Sequence, residues 1–270
     1  MSNTLEVIRQ NYENRHLAAR DWKARGGKVV GYVCNSVPEE LIWAAGMLPV
    51  RLSGIPGGST DAITSVFNVN KYTEGFVNTM LNDLMTGKYP ELDYLILPHN
   101  SRNTLQTQYS HLHMIRELWP DSNTIPELYF LEEFQSWAHN SVEYHVESLR
   151  ELGAQLESWS GYPLSQRRLD NAIEMCNKTR TLIGQVQVLR NEQKISGCEA
   201  LEIMGASYVM DKDEFNRLLE IFLKEAGQRS AKIGKRIFVE GSPQDNLQFY
   251  SLVEECGGII INEDNCWGSR

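Results

Sequence analysis

Between residues 28 and 52 the hydrophobic pattern changes period within a few residues. Lys28-Val29-Val30-Gly31-Tyr32-Val33 is a short apolar, β-branched run, as a buried parallel strand requires. A polar loop, Cys34-Asn35-Ser36-Val37, follows, and Ser36 is placed to cap the next helix. Pro38 falls at the first helical position, where its missing N–H costs nothing, and Glu39 and Glu40 suit the first turn. Gly46 closes that helix and Met47 starts a second strand. Upstream, Leu5, Ile8, Tyr12, His16, Ala19 and Trp22 recur at helical spacing, which predicts a helix over residues 4–25. Downstream, the pattern predicts a helix over 71–86, a strand over 93–98, a helix over 103–119 and a strand over 127–131.

From residue 133 to 225 the texture becomes that of long helices. Trp137, Tyr144, Leu149, Leu152 and Leu156 mark one apolar stripe, and Pro163-Leu164-Ser165 caps a helix over 166–193. Strand-like and helix-like runs then return: a strand at 236–240, a helix at 246–256 and a strand at 258–262. This order predicts an α/β protein with two Rossmann- or flavodoxin-like parallel-sheet domains and a helical connector. The boundaries are an N-terminal α/β domain at 1–132, the connector at 133–230 and the start of a second α/β domain at 231–270. Parallel sheets ordinarily have four or more strands, so the second domain reads as unfinished, part of a chain that continues in its natural form.

Composition adjusts this picture only at its edges. The 270 residues are 41% apolar and 23% charged, ordinary for a globular protein. Twenty-six basic against 35 acidic residues give a net charge of −9, which argues against nucleic acid or an anionic membrane as the main partner. The sequence holds no apolar run of about 18 residues and no export signal at its start, so a cytoplasmic location is expected. The five cysteines, Cys34, Cys176, Cys198, Cys256 and Cys266, form no C-x-x-C pair and read as free thiols. No Walker A, G-x-G-x-x-G or G-x-S-x-G motif is present, and Gly54-Ile55-Pro56-Gly57-Gly58 is a weak phosphate-loop candidate.

Three segments carry a resemblance that spans most of the chain. VPEELIWAAGMLPVRL (37–52), LMTGKYPELDYLILPHNSRN (84–103) and GGIIINEDNCWGSR (257–270) resemble the 2-hydroxyacyl-CoA dehydratase and benzoyl-CoA reductase family. The resemblance implies an acyl-CoA substrate, a paralogous partner subunit, a separate ATP-dependent activator protein and a [4Fe–4S] cluster held by three cysteines. The family's first two ligand positions fall near Glu74 and at Ser101, and the chain has no cysteine between Cys34 and Cys176. Oxygen side chains replace thiolates poorly at an iron–sulfur cluster. The cluster is therefore expected to be absent from this chain or held by the partner, with no metal ligands assigned here.

Two readings of the chain follow: a subunit that shares substrate and cluster with a partner, or a non-catalytic pseudo-subunit. A small-molecule binder on the same fold is a third. The candidate catalytic residues are Ser36, His99 and Glu74. His99 directly follows a predicted strand end, and imidazole titrates near neutrality; a hydrogen-bonded loop histidine is its plain alternative. The candidate substrate-binding residues are Ser36, Asn100, Ser101, Glu263, Asp264 and Cys266, the last three in a loop that resembles the family's E-D-x-C-x-G-x-R. That loop is open to a second reading, as a capping turn before a following helix. His111 and His113 are two apart on a helix and are not expected to share a metal.

Overall fold

A computed structural model of the chain describes residues 3–54, 57–67, 75–99, 104–120, 124–133, 140–241 and 244–268. Two compact units emerge. One is continuous, Arg20–Leu169; the other joins Met1–Ala19 to Asp170–Arg270. Within both, the expected α/β class is observed.

The continuous unit is built on a four-stranded parallel sheet. Its strands are β1 (Val29–Tyr32), β2 (Leu48–Arg51), β3 (Tyr94–Pro98) and β4 (Glu127–Leu131), in the order β2-β1-β3-β4. This is the opening order of a flavodoxin-type sheet. In register, Gly31 lies beside Val50 on one side and Leu95 on the other, and Leu95 beside Leu128. Alternate strand residues face opposite ways. Val30, Tyr32 and Ile96 enter a core with Ile42 of α3 (Glu39–Ala44) and with Leu152, Leu156 and Trp159 of α7 (Ser141–Ser160). α5 (Gly75–Met85) is buried along most of its length, and α6 (Thr104–Leu118) contacts β3 and β4. Gly87, Lys88 and Asp93, within the segment 84–103 that carries part of the resemblance, have a structural use. Gly87 takes a positive φ, Lys88 pairs with Asp83 at 2.6 Å, and Asp93 accepts from the Val29 N–H at 2.8 Å while pairing with Lys23 at 2.5 Å.

The second unit gathers α1 (Asn3–Glu13) against α9 (Gly197–Ser207) and α10 (Lys212–Gly227), and sets α11 (Leu247–Glu255) on a parallel pair, β5 (Lys235–Glu240) and β6 (Gly258–Asp264). α9 starts with a complete capping box, Ser196 and Glu199 each closing the other's backbone. α8 (Gln166–Asn191) spans the boundary between the two units.

Several expectations need correction. The helix expected over 4–25 is two, α1 and α2 (Leu17–Ala24), broken where Asn14 closes a turn by accepting the Leu17 N–H. Ser36 does not cap α3; the helix starts from Pro38 with no side-chain cap. The apolar stripe of α7 runs through Leu152, Leu156 and Trp159, one true helical face, whereas Tyr144 and Leu149 are exposed and Trp137 lies outside the described residues. The short α4 (Asp61–Val66) has no counterpart in the hydrophobic pattern.

Candidate functional site

In an open parallel sheet the ligand crevice forms at the carboxyl ends of the strands, where the order of connections reverses. Here β1 leads to β2 on one side, and β3 leads to β4 on the other. The reversal therefore lies between β1 and β3. The loop after β1 carries Ser36, and the residue directly after β3 is His99.

The loop after β1 is held at both ends. Val33 donates its N–H to Ile96 at 3.3 Å, and Val37 is buried in the core. Between them Cys34 adopts φ +66°, a left-handed backbone that β-carbon-bearing residues seldom take. The exposed Ser36 lies close enough to Glu133, two residues past β4, for its hydroxyl to favour the ionised carboxylate. His99 extends the ladder by donating its N–H to Leu131 at 2.7 Å. Its Nδ1 lies 3.3 Å from Glu132 Oε2, and its ring leans on Phe130 with 5.8 Å between centroids. α7 fixes the loop after β4 from the far side, since Ser148 donates to the Glu132 carbonyl at 2.7 Å. One turn earlier on α7, His145 lies within electrostatic reach of Glu133.

The structure thus sets Ser36 beside Glu133 and His99 beside Glu132, neighbouring carboxylates that the sequence pattern does not single out. Glu132 and Glu133 sit at the expected domain boundary. The signal that applies to His99, a polar residue immediately after a strand, applies equally to them. Glu74, Asn100 and Ser101 lie outside the described residues.

Burial raises the Glu133 pKa, and the Ser36 hydrogen bond and the nearby His145 and His99 only partly offset this. A carboxyl whose folded pKa exceeds its unfolded one binds its proton more tightly when folded. It supports the fold fully below the unfolded pKa and loses that support as pH rises through the folded pKa. Denaturant stability of Glu133→Gln relative to the native chain is therefore expected to increase between acid and neutral pH. A flat difference would show that Glu133 is solvated as in the unfolded chain.

Glu263, Asp264 and Cys266 belong to the other unit. The Glu263 carboxylate is fully buried, ion-paired with Arg190 and bonded by the Tyr250 hydroxyl at 3.2 Å. Gly268 lies directly over it: a β-carbon there would come within 2.4 Å of the Glu263 side chain. Asn265 orders the turn by accepting the N–H groups of Trp267 and Gly268, each at 3.0 Å. Asp264 is exposed and Cys266 half-buried at this turn. Gly54 of the phosphate-loop candidate lies against the backbone of Phe76, a β-carbon there meeting the carbonyl at 1.8 Å.

No disulfide joins any of the five cysteines. Burial, with the Glu254 carboxylate next in weight, pushes the Cys198 thiol up to about 12, whereas Cys256 is exposed. Thiolate is the reactive form. Iodoacetamide at mildly alkaline pH is expected to label Cys256 first and to reach Cys198 and buried Cys176 only after unfolding; early labelling of Cys198, read by peptide mass, would contradict this packing. His111 stacks on Phe67 at 3.9 Å and His113 faces Tyr109 at 6.0 Å, so the two rings go to different partners. Among the described residues no three His, Cys, Asp or Glu side chains are placed to hold a metal ion, and no helix is long and apolar enough to cross a membrane.

The sequence is similar to polypeptides of three known enzymes. It is 23% identical over 250 residues to the (R)-phenyllactyl-CoA dehydratase beta subunit of Clostridium sporogenes, covering 91% of this chain and 64% of that protein. It is 26% identical over 262 residues to one of the subunits of the benzoyl-CoA reductase of Thauera aromatica, covering 92% and 64%. It is 25% identical over 257 residues to the beta subunit of the (R)-2-hydroxyglutaryl-CoA dehydratase of Acidaminococcus fermentans, covering 92% and 65%. The chain thus spans a little under two thirds of the length of these relatives. The family profile of the 2-hydroxyglutaryl-CoA dehydratase D-component matches residues 34–270, from the strained Cys34 through the strand-end loops described above, and the chain belongs to that family.

Proposed function

We propose that this chain is a subunit of a 2-hydroxyacyl-CoA dehydratase- or benzoyl-CoA reductase-like complex that acts on a CoA thioester by low-potential electron transfer. The observation that carries the reading is the placing of Ser36 beside Glu133, and of His99 3.3 Å from Glu132, at the topological reversal of the sheet in a chain of this family. Such a crevice offers an acyl group a hydroxyl donor, a titratable imidazole and a carboxyl group. Ser36, His99 and Glu74 are assigned catalytic roles, and Asn100 and Ser101, with Ser36, substrate-binding roles. Asp264 and Cys266 are assigned to substrate binding on the second unit's own strand edge, with Glu263 positioning their turn.

The residues of this chain do not fit a [4Fe–4S] cluster. Thiolates are its natural ligands, yet the unit that holds β1–β4 contains one cysteine, Cys34, and the ligand positions that the family resemblance implies fall near Glu74 and at Ser101. We therefore assign any cluster to a paralogous partner subunit and the ATP-dependent step to a separate activator. The same mismatch favours one alternative, a non-catalytic pseudo-subunit that shapes its partner.

Anaerobic co-purification with a co-encoded paralogue, followed by iron and acid-labile sulfide analysis, tests the assignment. Iron and sulfide in the complex and none in this chain alone are expected. About four of each per isolated chain after reconstitution would overturn it. A chain that stays monomeric with every co-encoded paralogue would overturn the subunit reading.

A further inference from the structure

α7 runs antiparallel to the strands of its unit. Near its end, the Trp159 indole N–H donates to Glu127 at the start of β4, and the Trp159 carbonyl accepts from Lys28 just ahead of β1. Near its middle, Ser148 donates to the carbonyl of Glu132, one residue past β4. The first half of the helix therefore stands at the carboxyl ends of the strands, beside the crevice whose rim carries His99 and Glu132.

On this half, Val142, Val146 and Leu149 recur four and three residues apart, which sets them on one helical face. They are 67%, 41% and 39% exposed, while Ser148, Leu152, Leu156 and Trp159 are buried on the other side. A contiguous apolar stripe left in water marks an interaction surface. Another exposed apolar pair of this unit, Leu118 and Trp119, closes α6 where Arg116 reaches the Ile125 carbonyl ahead of β4, at the opposite end of the sheet. Charge narrows the choice of occupant. Glu143, Glu147 and Glu151 are exposed around the stripe, and the single Lys or Arg within 141–151, Arg150, pairs with Glu147 at 3.2 Å. Exposed Glu132 adds a further carboxylate at the crevice end. A second copy seated symmetrically would set these carboxylates against their own kind.

We propose that the stripe of Val142, Val146 and Leu149 is the seat of the paralogous partner subunit, met by a partner surface that is apolar at its centre and rich in Lys and Arg at its rim. The proposal rests on the reading of this chain as a subunit of such a complex, because a partner that shares a substrate with this crevice has to abut the strand ends. Of the two exposed apolar groups, only the stripe does so. An apolar centre inside a polar rim is the ordinary anatomy of a protein interface. Here the stripe supplies the centre, and the carboxylates steer a basic partner and disfavour self-pairing. A partner seated there closes over the mouth of the crevice beside His99 and Glu132, so the site is completed only in the complex.

In the test, the full chain and its co-encoded paralogue are purified anaerobically, and their affinity is measured by calorimetry at low and high salt. The native pair is expected to bind, and to bind more weakly as salt rises. Val146→Lys with Leu149→Lys should weaken binding about 30-fold or more, the scale of a disrupted interface centre. Leu118→Lys with Trp119→Lys should leave it unchanged. Glu143→Lys with Glu147→Lys should weaken binding and flatten its salt dependence. Hydrogen exchange read by mass spectrometry should slow in residues 141–151 on complex formation and not in 112–119. That measurement needs no variant, so it carries the test if a substituted chain does not fold. Binding of the stripe variant at native strength, or exchange in 141–151 that the partner leaves unchanged, overturns the seat on α7 and leaves the subunit reading standing. Affinity indifferent to salt overturns the basic rim. Self-association of the native chain that the stripe variant abolishes overturns the paralogue as occupant in favour of a second copy. Failure of the native chain to bind any co-encoded paralogue overturns the subunit reading itself, and the proposal with it.

Discussion

Replacing Arg190 by Met is expected to destabilise the chain by about 3–5 kcal/mol, the usual cost of breaking a buried ion pair from one side. Arg190 is fully buried, donates Nε–H to the Ile260 carbonyl at 2.8 Å and pairs with a Glu263 carboxylate that is itself without solvent exposure. The substitution removes the guanidinium from that buried carboxylate and keeps the Tyr250 hydroxyl beside it. Urea unfolding followed by circular dichroism measures the loss. Arg190→Met with Glu263→Leu should recover much of it, because removing both charges removes the desolvation cost of each. A single-variant loss below about 1 kcal/mol would mean that the pair is hydrated, as surface pairs are.

The second large effect is expected at Trp159, which fastens α7 to the sheet. Its ring stacks on Tyr94 with centroids 4.2 Å apart and meets Tyr129 edge-on at 6.3 Å. Its indole N–H donates to Glu127 at 2.8 Å, and its carbonyl accepts from Lys28 at 2.5 Å. Trp159→Ala is expected to cost about 3–5 kcal/mol through lost burial and an unfilled cavity. Trp159→Phe keeps the stack and loses one hydrogen bond to an exposed carboxylate, a cost of about 1 kcal/mol. If the two variants lose stability equally, the hydrogen bond rather than the packing holds the helix.

The elements that the sequence pattern predicts well share one property: each is a self-contained period. β1, β3, β4 and β6 are apolar runs bounded by turn residues, and α8 and α11 follow clear start signals, so their limits lie within a few residues of expectation. α4 has six residues and one buried side chain, Ile63, too little to set a period. The break between α1 and α2 arises from a turn at Asn14, whereas the apolar spacing runs on through it. Of the candidate site, the strand-end positions of Ser36 and His99 were legible because each directly follows a predicted strand or its loop. Glu133 was not, because the order β2-β1-β3-β4 is what brings three strand ends together, and no local pattern encodes it. Glu263 illustrates the opposite failure. Its place at a strand end suggested a residue open to ligand, but an arginine 73 positions earlier encloses it.

One unit joins the first nineteen residues to a segment that starts at Asp170. Leu5, Ile8 and Tyr12 of α1 are buried there, against helices that the ribosome makes some 200 residues later. At about 5–20 residues per second, the apolar face of α1 emerges on the order of ten seconds or more before α9 and α10 exist. During that interval the continuous unit can close first, while α1 waits as an exposed amphipathic segment. The order of synthesis is thus the reverse of the order of assembly for this helix. Nascent-chain lengths that end before α10 should expose α1 to protease and to hydrophobic-binding chaperones, and longer ones should withdraw it.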